Sequence, residues 1–314
     1  MAGKRLLIHS VFLVFLPVIV AYFGISTAGA IALVLFALVW RLAITLSVLL
    51  FPPKVPKLEL ETISLSHFAE KVRWSMDRLG VDYVERQVAG ILGVFFTGRT
   101  VPQLKFRTGR VRSVIGDSPD ILRYLWGRYS SELGDKAAFL APTEARLDLE
   151  KRIDRYGVDL QVWIYSHILA HRSLCLRAWG CNCPSIPLWQ RGVLYICYPV
   201  LKVFMHHAFR LSDKSYAGAV QRIEAFLLEM EKKLADGRRS ILNDDEIDYV
   251  DITLASISSL WLQPSEFAAG KSDAARLELE QFPEKMHADT NRWRNSYPHT
   301  TAFIEKLYRE ERTQ

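Results

Sequence analysis

Ser66 is the residue whose type and position point most directly to chemistry. The stretch Leu58–Ile63 alternates apolar and polar residues as a strand does. It is followed by an apolar stripe of helical period, formed by Phe68, Val72, Met76 and Leu79. Gly80 is suited to end that helix. Ser66 therefore stands at a helix N-terminus, where unpaired N–H groups and the helix dipole favour an anion, although a serine there also has the simpler role of an N-cap.

Two further pairs of residues lie in the same region. Val101–Pro102 opens an extended run that continues to Phe106, and proline is tolerated at the first residue of a strand, where its peptide bond can be cis. Asp117–Ser118 precedes Pro119, which suits the first turn of a helix. These pairs indicate turns beside strands, and each is also ordinary turn and cap chemistry.

The surrounding pattern sets the elements that must position these residues. After the first strand and helix it predicts a strand at 81–88, a loop, a strand at 100–106, a hairpin turn at 107–110, a strand at 111–115 and a helix at 120–129. The order is βαβ followed by ββα.

This order, with its three motifs at matching relative positions, resembles the amino-terminal thioredoxin-fold domain of the cytosolic-type glutathione transferase superfamily. The resemblance implies that Ser66 contacts the glutathione sulfur and that the main chain of Val101, before Pro102, pairs with the cysteinyl unit. It also implies that Asp117 and Ser118 hold the γ-glutamyl end. The residue types suit these roles, because a serine hydroxyl at a helix N-terminus can stabilise a thiolate and Asp117 can face an ammonium group. Glutathione is the expected co-substrate, and no metal is expected.

The turn departs from the family pattern at His67, where many members have proline. We interpret His67 as a surface residue of the helix rather than a base, although its ordinary pKa permits either role. The turn contains no cysteine, which disfavours a reductase that works by thiol–disulfide exchange.

The N-terminal region predicts a transmembrane helical hairpin. Residues 6–40 contain no Asp, Glu, Lys or Arg, and Leu6–Ile25 is long enough to cross a hydrocarbon layer of roughly 30 Å. A second span is predicted at Ala28–Phe51. Basic residues flank both ends of the hairpin, at Lys4, Arg5, Lys54 and Lys57. The positive-inside rule therefore predicts a two-span membrane protein whose folded part lies on the cytosolic side.

Arg41 complicates this interpretation, because an arginine in mid-membrane costs roughly 2.5–3.5 kcal/mol unless it is paired or hydrated. It favours either a partner that faces Arg41 or a shallow second crossing. A cleaved targeting peptide is the alternative to an anchor, but the apolar stretch is too long for a signal peptide and too hydrophobic for a mitochondrial presequence.

The chain from Thr143 onward is helical in pattern. Apolar residues recur every three or four positions at Val220, Ile223, Leu227, Met230 and Leu234. Asp248 and Asp251 have the spacing of a capping box before an apolar helix at 252–262. The helical domain of glutathione transferases has a similar box, so the resemblance covers roughly 58–310.

The predicted fold is an α+β thioredoxin-like domain followed by an all-α helical domain, with the helical hairpin in front. The predicted parts are the anchor at 1–53, the thioredoxin-like domain at 54–129, a linker at 130–142 and the helical domain at 143–314.

In the family, the pocket for the electrophile lies between the helical domain and the catalytic turn. The resemblance therefore nominates one set of candidate lining residues: His67, Tyr156, Trp163, Tyr165 and His167. Core packing is the alternative for each of them.

The segment around 172–210 is rich in aromatic and basic residues. Its Gly192–Phe204 run is too short to span a membrane, and is either a buried helix or a surface that rests on the bilayer. Cys181 and Cys183 lie near His167 and His171, but the spacing is not that of a zinc site, and free thiols are the preferred interpretation. Basic residues are interspersed with acidic ones after Glu59, so nucleic acid is not an expected partner.

The sequence thus predicts a membrane-anchored glutathione transferase that acts on a hydrophobic electrophile. The alternative is a non-catalytic subunit of the same fold that scaffolds a membrane complex, suggested by Arg41 and by the 172–210 segment. The expected partners are glutathione, a hydrophobic small molecule, the lipid bilayer and either a second copy of the chain or a membrane-complex subunit.

Overall fold

The computed structural model describes Tyr22 and residues 26–50, 56–63, 65–97, 101–108, 111–270, 277 and 279–312. The strands are β1 (Lys57–Thr62), β2 (Tyr83–Gln87), β3 (Gln103–Thr108) and β4 (Val111–Gly116). The first helices are α1 (Thr27–Leu50), α2 (His67–Leu79), α3 (Gly90–Thr97) and α4 (Ser118–Leu133). They are followed by α5 (Glu144–Ile168), α6 (Arg172–Ala178), α7 (Leu188–Ala208), α8 (Asp213–Leu234), α9 (Tyr249–Leu262), α10 (Glu284–Ser296) and α11 (Pro298–Glu311). Short 3-10 helices occur at Gly134–Leu140, Phe267–Gly270 and Leu279–Gln281.

The four strands form one mixed sheet in the order β2-β1-β3-β4. In β1, Leu58, Leu60 and Thr62 are buried while the residues between them are more exposed, which is the alternation expected of a half-buried strand. A four-stranded sheet with helices, followed by helices alone, agrees with the predicted order of a thioredoxin-like part and a helical part.

The described residues form two compact units. One contains the described residues up to Glu59 together with Leu104–Ile115, and the other contains those of Leu60–Gln103 and Gly116–Gln314. The division into residues 1–53, 54–129, 130–142 and 143–314 stays a prediction.

One of the predicted connections is wrong in detail, and a second contains regular structure. The loop expected after β2 contains α3, whose Ile91 and Leu92 are buried and so give that segment an apolar face to pack. The expected linker at 130–142 is the end of α4 followed by a 3-10 helix in which Ala137, Phe139 and Leu140 are buried. The burial of these side chains contributes to the hydrophobic core.

The predicted capping box is present at the start of α9. Asp248 accepts hydrogen bonds from the N–H groups of Val250 and Asp251, and Asp251 accepts one from the N–H of Asp248. A second bond to Asp251, from the N–H of Ile241, ties the preceding loop to the same carboxylate. Every residue of α9 is buried, and α2 and α5 both pack against it. The box therefore fixes the central helix of its unit.

Of the two predicted membrane spans, Leu6–Ile25 lies outside the described residues apart from Tyr22, and Ala28–Phe51 corresponds to α1. In the described part of the chain, no single helix has both the length and the apolar character needed to cross a bilayer. Helices α7 and α8 reach that threshold only as a pair, and the pair is bent by 62°.

Candidate functional site

Ser66 is the N-cap of α2. Its backbone is extended, with φ −69° and ψ 110°, and its Oγ accepts a hydrogen bond from the Ala69 N–H at 3.2 Å. At the other end of the helix, Gly80 adopts φ 69°, a left-handed conformation that a residue with a Cβ rarely takes. The Ser66 hydroxyl uses only an acceptor position in capping, so its hydrogen remains able to donate to a ligand.

Helix α2 is held in place by buried ion pairs. The Glu70 carboxylate accepts hydrogen bonds from the guanidinium of Arg73, from Arg312 Nε at 2.7 Å and from the Ala268 N–H at 3.0 Å. Arg73 also donates two bonds to Glu85 of β2, at 2.7 and 2.9 Å. These side chains are buried, so their partners fix the rotation of the helix as well as compensating the charges.

A cavity of about 410 Å³ lies at the N-terminus of α2. Ser66, Val101 and Asp117, three residues that the sequence nominated separately, all line it. Its other walls are mainly apolar and come from α2, α5, α7 and α9, together with Trp179 and Leu277. The structure therefore brings the residues of all three motifs to one largely hydrophobic space.

Val101 and Pro102 are joined by a cis peptide bond immediately before β3. Val101 lines the cavity, whereas Pro102 is buried behind it. Gly90, at the start of α3, lies close by: a Cβ at this position would be 2.4 Å from Ile63 Cγ1 and 3.0 Å from Val101 Cγ2. Glycine is favoured here because a Cβ would overlap the Ile63 side chain and crowd that of Val101.

Asp117 and Ser118 form the N-terminus of α4. Asp117 has φ 70°, and its Oδ1 accepts a hydrogen bond from the Ser118 N–H at 2.8 Å. Asp117 is exposed and lines the cavity. Ser118 is fully buried, and within the described part of the chain its Oγ has no hydrogen-bond partner. The first N–H of α4 is thus occupied by the neighbouring carboxylate, and a ligand carboxylate must displace Asp117 to reach it.

His67 lines the cavity, but it is not the surface residue that the sequence predicted. It is buried against the ring of Phe68, with centroids 4.2 Å apart. Burial, together with the nearby charge of Lys71, lowers the pKa of His67 to about 3. Its Nε2 has no hydrogen-bond partner among the described residues. A neutral imidazole with an unused nitrogen therefore faces the same region as Ser66.

The remaining candidates divide between two faces of α5. Tyr165 lines the cavity with Gln161, Ile164 and Ile168. Tyr156, Trp163 and His167 line none of it. Residues 161, 164, 165 and 168 have the i, i+3, i+4, i+7 spacing of one helical face, and 156, 163 and 167 share another. The nomination of Tyr156, Trp163 and His167 as pocket residues is therefore corrected.

The displaced candidates belong to a polar cluster within the core. Trp261 Nε1 donates to the Tyr156 hydroxyl at 2.8 Å. Trp163 Nε1 donates to Asp289 Oδ2 at 2.9 Å, and His167 Nε2 lies 3.5 Å from the same oxygen. Their polar atoms are used in packing α5 against α9 and α10.

Three polar residues of the cavity were missed in the sequence: Gln161, Ser259 and Gln263. Gln161 lies one helical turn before Tyr165, so the spacing could have found it. Gln263 could not be found in this way, because it depends on a φ of 50° at the end of α9. Among the described residues, no group of three or more His, Cys, Asp and Glu is placed to hold a metal ion.

No family model and no curated protein matches this chain. Solved structures similar to it include the apo form of glutathione S-transferase III, with 17% identity over 82% of this chain and 94% of the other and a TM-score of 0.48. A glutathione transferase from Pseudomonas putida with glutathione disulfide bound has 14% identity, coverage of 86% and 95%, and a TM-score of 0.48. FzlA from C. crescentus has 13% identity, coverage of 82% and 90%, and a TM-score of 0.45. No residue role is transferred from these structures.

Proposed function

We propose that this chain binds glutathione in the cavity beside Ser66 and conjugates it, through its sulfur, to a hydrophobic electrophile. The observation that carries the proposal is that Ser66, Val101 and Asp117, which are far apart in the sequence, line one cavity with mainly apolar walls. A polar edge beside an apolar space suits a peptide thiol and a hydrophobic second substrate.

Ser66 would act on the sulfur. Its hydroxyl hydrogen is available for donation, and the N-terminal N–H groups of α2 add positive potential at the same place. Both favour the thiolate over the thiol and so lower the thiol pKa. The proton leaves to solvent, the sulfur forms a bond to the electrophilic carbon, and the displaced electron pair goes to the leaving group or to the neighbouring atom of a polarised double bond.

Val101, Asp117 and Ser118 would hold the peptide. Val101 borders the cavity, and its main chain would pair with the cysteinyl unit. The exposed carboxylate of Asp117 can meet the ammonium of the γ-glutamyl group. As Asp117 turns toward that ammonium, it would release the Ser118 N–H to the α-carboxylate of the same group.

The electrophile would occupy the apolar part of the cavity, against α5 and α7. Tyr165, Gln161 and the neutral His67 are among the groups there that can form a hydrogen bond to it. His67 is suited to donate or accept without adding a charge.

Calorimetric titration of the full-length protein with glutathione tests the proposal, beside the variants Ser66→Ala and Asp117→Ala. We expect Asp117→Ala to weaken binding. Ser66→Ala should still bind but should lose the lowering of the thiol pKa and about 10²-fold in turnover, the usual effect of removing one such donor.

Ser66→Ala also removes a helix cap, which costs about 1 kcal/mol of stability. Thr143→Ala is the matched control, because Thr143 caps α5 in the same way, through the Arg146 N–H, and does not line the cavity. If the two variants lose the same activity, Ser66 acts only as a cap. If the parent protein gives no heat at about millimolar glutathione, the transferase proposal fails and the non-catalytic scaffold becomes the better hypothesis.

We also propose that residues 1–53 hold the chain at a membrane, with the folded part on the cytosolic side. The charge-free sequence of residues 6–40 supports this, as does α1, whose Ile31, Phe36 and Val39 are exposed. Extraction of cell membranes with alkaline carbonate tests it, since an inserted hairpin stays in the pellet. Release of the chain into the supernatant would contradict insertion.

A further inference from the structure

Helix α7 presents an apolar face to solvent. Six large apolar or aromatic side chains on it are exposed: Leu188, Trp189, Tyr195, Ile196, Val200 and Val203. Steps of seven residues (188–195 and 189–196), four (196–200) and three (200–203) place them on one side of the helix. The opposite side is buried through Leu194, Tyr198, Leu201 and Met205. We call the exposed side the outer face of α7.

The stretch of sequence that carries the outer face is basic, and Asp213, which follows it at the start of α8, lines a second cavity with Lys202 and His206. No Asp or Glu occurs in the sequence between Asp159 and Asp213, whereas this stretch contains five basic residues: Arg172, Arg177, Arg191, Lys202 and Arg210. Arg172, Lys202 and Arg210 are exposed, and His206 and His207 are exposed at the end of the helix. An apolar surface on a stretch that contains basic and no acidic residues is complementary to an anionic and apolar partner.

One of these cations is fixed to the outer face by the geometry of the helix. Pro199 lies within α7 and has no N–H, so the carbonyl of Tyr195 lacks its usual helical donor. Arg172 Nη2 donates to that carbonyl at 2.8 Å, and the guanidinium lies 4.1 Å from the centre of the Tyr195 ring. The interruption of the helix thus holds an exposed charge against an exposed aromatic ring.

We propose that the outer face of α7 docks on the surface of a bilayer that contains anionic lipid. The apolar side chains enter the boundary between head groups and acyl chains, and the basic side chains meet lipid phosphates and carboxylates. Trp189 and Tyr195 lie at head-group depth, where aromatic rings with one polar end are favoured. A folded protein partner would need an apolar groove lined by acids to satisfy the same surface, whereas an anionic bilayer satisfies it without a specific shape.

This contact is separate from the proposed activity and from the proposed anchor. Its consequence concerns the cavity, because Phe204, Met205 and Ala208 of the same helix line it. A docked α7 would therefore form the wall between the bilayer surface and the apolar part of the cavity. A hydrophobic substrate held in lipid would then be close to the place where it reacts.

A photoreactive side chain provides the test in the full-length protein. Val200 on the outer face and Val158 on α5 are a matched pair, since both are valines in helices and are 58% and 51% exposed. p-Benzoylphenylalanine replaces one or the other, and each protein is incorporated into vesicles of phosphatidylcholine with about one third phosphatidylserine. Both proteins keep the same N-terminal segment, so a difference in yield reports on the position of the probe.

We expect the probe at position 200 to form lipid adducts in at least about tenfold higher yield than the probe at position 158. Lys202→Glu, or salt raised to about 0.5 M, should reduce the yield at position 200 several-fold. Equal yields at the two positions would overturn the proposal. So would adducts to a second copy of the chain, adducts within the chain, or a yield that is the same in pure phosphatidylcholine.

Discussion

Helices α2 and α7 border the same cavity, and each departs from the usual distribution of residues. Helix α2 buries charged side chains, and α7 exposes apolar ones. Helix α2 carries Glu70 and Arg73 with no exposed surface, whereas α7 carries Leu188 and Ile196 with 78% and 77% of their surface exposed. Charged side chains are seldom fully buried, and a contiguous apolar surface is seldom left in water. Each helix therefore needs a specific compensation.

For α2 the compensation lies inside the chain. The carboxylates of Glu70, Asp77 and Glu85 alternate with the guanidinium groups of Arg73 and Arg312 in one chain of ion pairs. Such a network requires defined geometry, and a helix fixed in this way keeps Ser66 and His67 in one position relative to the cavity. For α7 the described residues supply the inner side only, and the outer face implies a partner outside the chain.

The largest expected effect comes from breaking the α2 network. Glu70→Gln leaves Arg73 and Arg312 buried with one carboxylate fewer, and we expect the free energy of unfolding to fall by about 3–5 kcal/mol. Urea unfolding followed by tryptophan fluorescence measures it. Glu132→Gln is the control: it removes an exposed pair with Arg128 and should cost less than about 1 kcal/mol. Similar losses in the two variants would mean that burial does not distinguish these ion pairs.

The next effect tests the inner side of α7. Leu194 is fully buried in the cluster that contains Trp179 and Tyr198, so Leu194→Ala should cost about 2–5 kcal/mol through lost contacts and a cavity. Leu188→Ala changes the same residue type on the same helix at an exposed position and should cost less than about 0.5 kcal/mol. The same unfolding measurement applies, and a cost for Leu188→Ala close to that for Leu194→Ala would show that the outer face is covered.

The third effect is a dependence of the free energy of unfolding on pH, caused by His67. Its pKa is about 3 in the folded protein, below the ordinary value of 6.5, because the neutral form is favoured by burial. Below pH 6.5 the unfolded chain therefore binds a proton at His67 that the folded chain does not, and stability falls as the pH is lowered from about 6.5 toward about 3. Between pH 7 and pH 5 this one group should remove about 2 kcal/mol.

The variant His67→Gln should remove that part of the pH dependence, so the stability difference between wild type and variant should change by about 2 kcal/mol over the same range. His206→Gln, at an exposed position of α7, controls for the loss of a histidine. Parallel stability curves for wild type and His67→Gln would refute the burial of a neutral imidazole beside Ser66.

The sequence predicted best what depends on neighbouring residues. Ser66 and Gly80 bound the predicted helix, and Asp248 with Asp251 forms the predicted capping box, because capping needs only local spacing. His67 was placed at the surface because no local pattern signals that Phe68 and Lys71 enclose it. The pairing of Glu70 with Arg312 was not predicted at all, since 242 residues separate them and no period connects them.

The aromatic and basic segment shows a different limit. The sequence predicts Gly192–Phe204 to be either a buried helix or a surface at the bilayer. In the structure, α7 has one buried side and one exposed apolar side. Periodicity reveals two faces only when one of them is polar. Here both are apolar, so only the packing of Leu194 and Tyr198 tells the inner side from the outer face.

The smallest expected effect decides what the outer face is for. Ile196→Ser removes a large apolar group that is 77% exposed, so we expect the free energy of unfolding without lipid to change by less than about 0.5 kcal/mol. A cost of about 2 kcal/mol or more would mean that another part of the chain covers this side chain, and the comparison between α2 and α7 would then fail. If Ile196→Ser leaves the free energy of unfolding unchanged but lowers the yield of lipid adducts from a probe at Val200, then Ile196 contributes to docking and not to folding. A loss of docking without a loss of stability is the result expected of a surface that is apolar for a partner. On the inner side of the same helix, removal of a large apolar side chain must destabilise the fold.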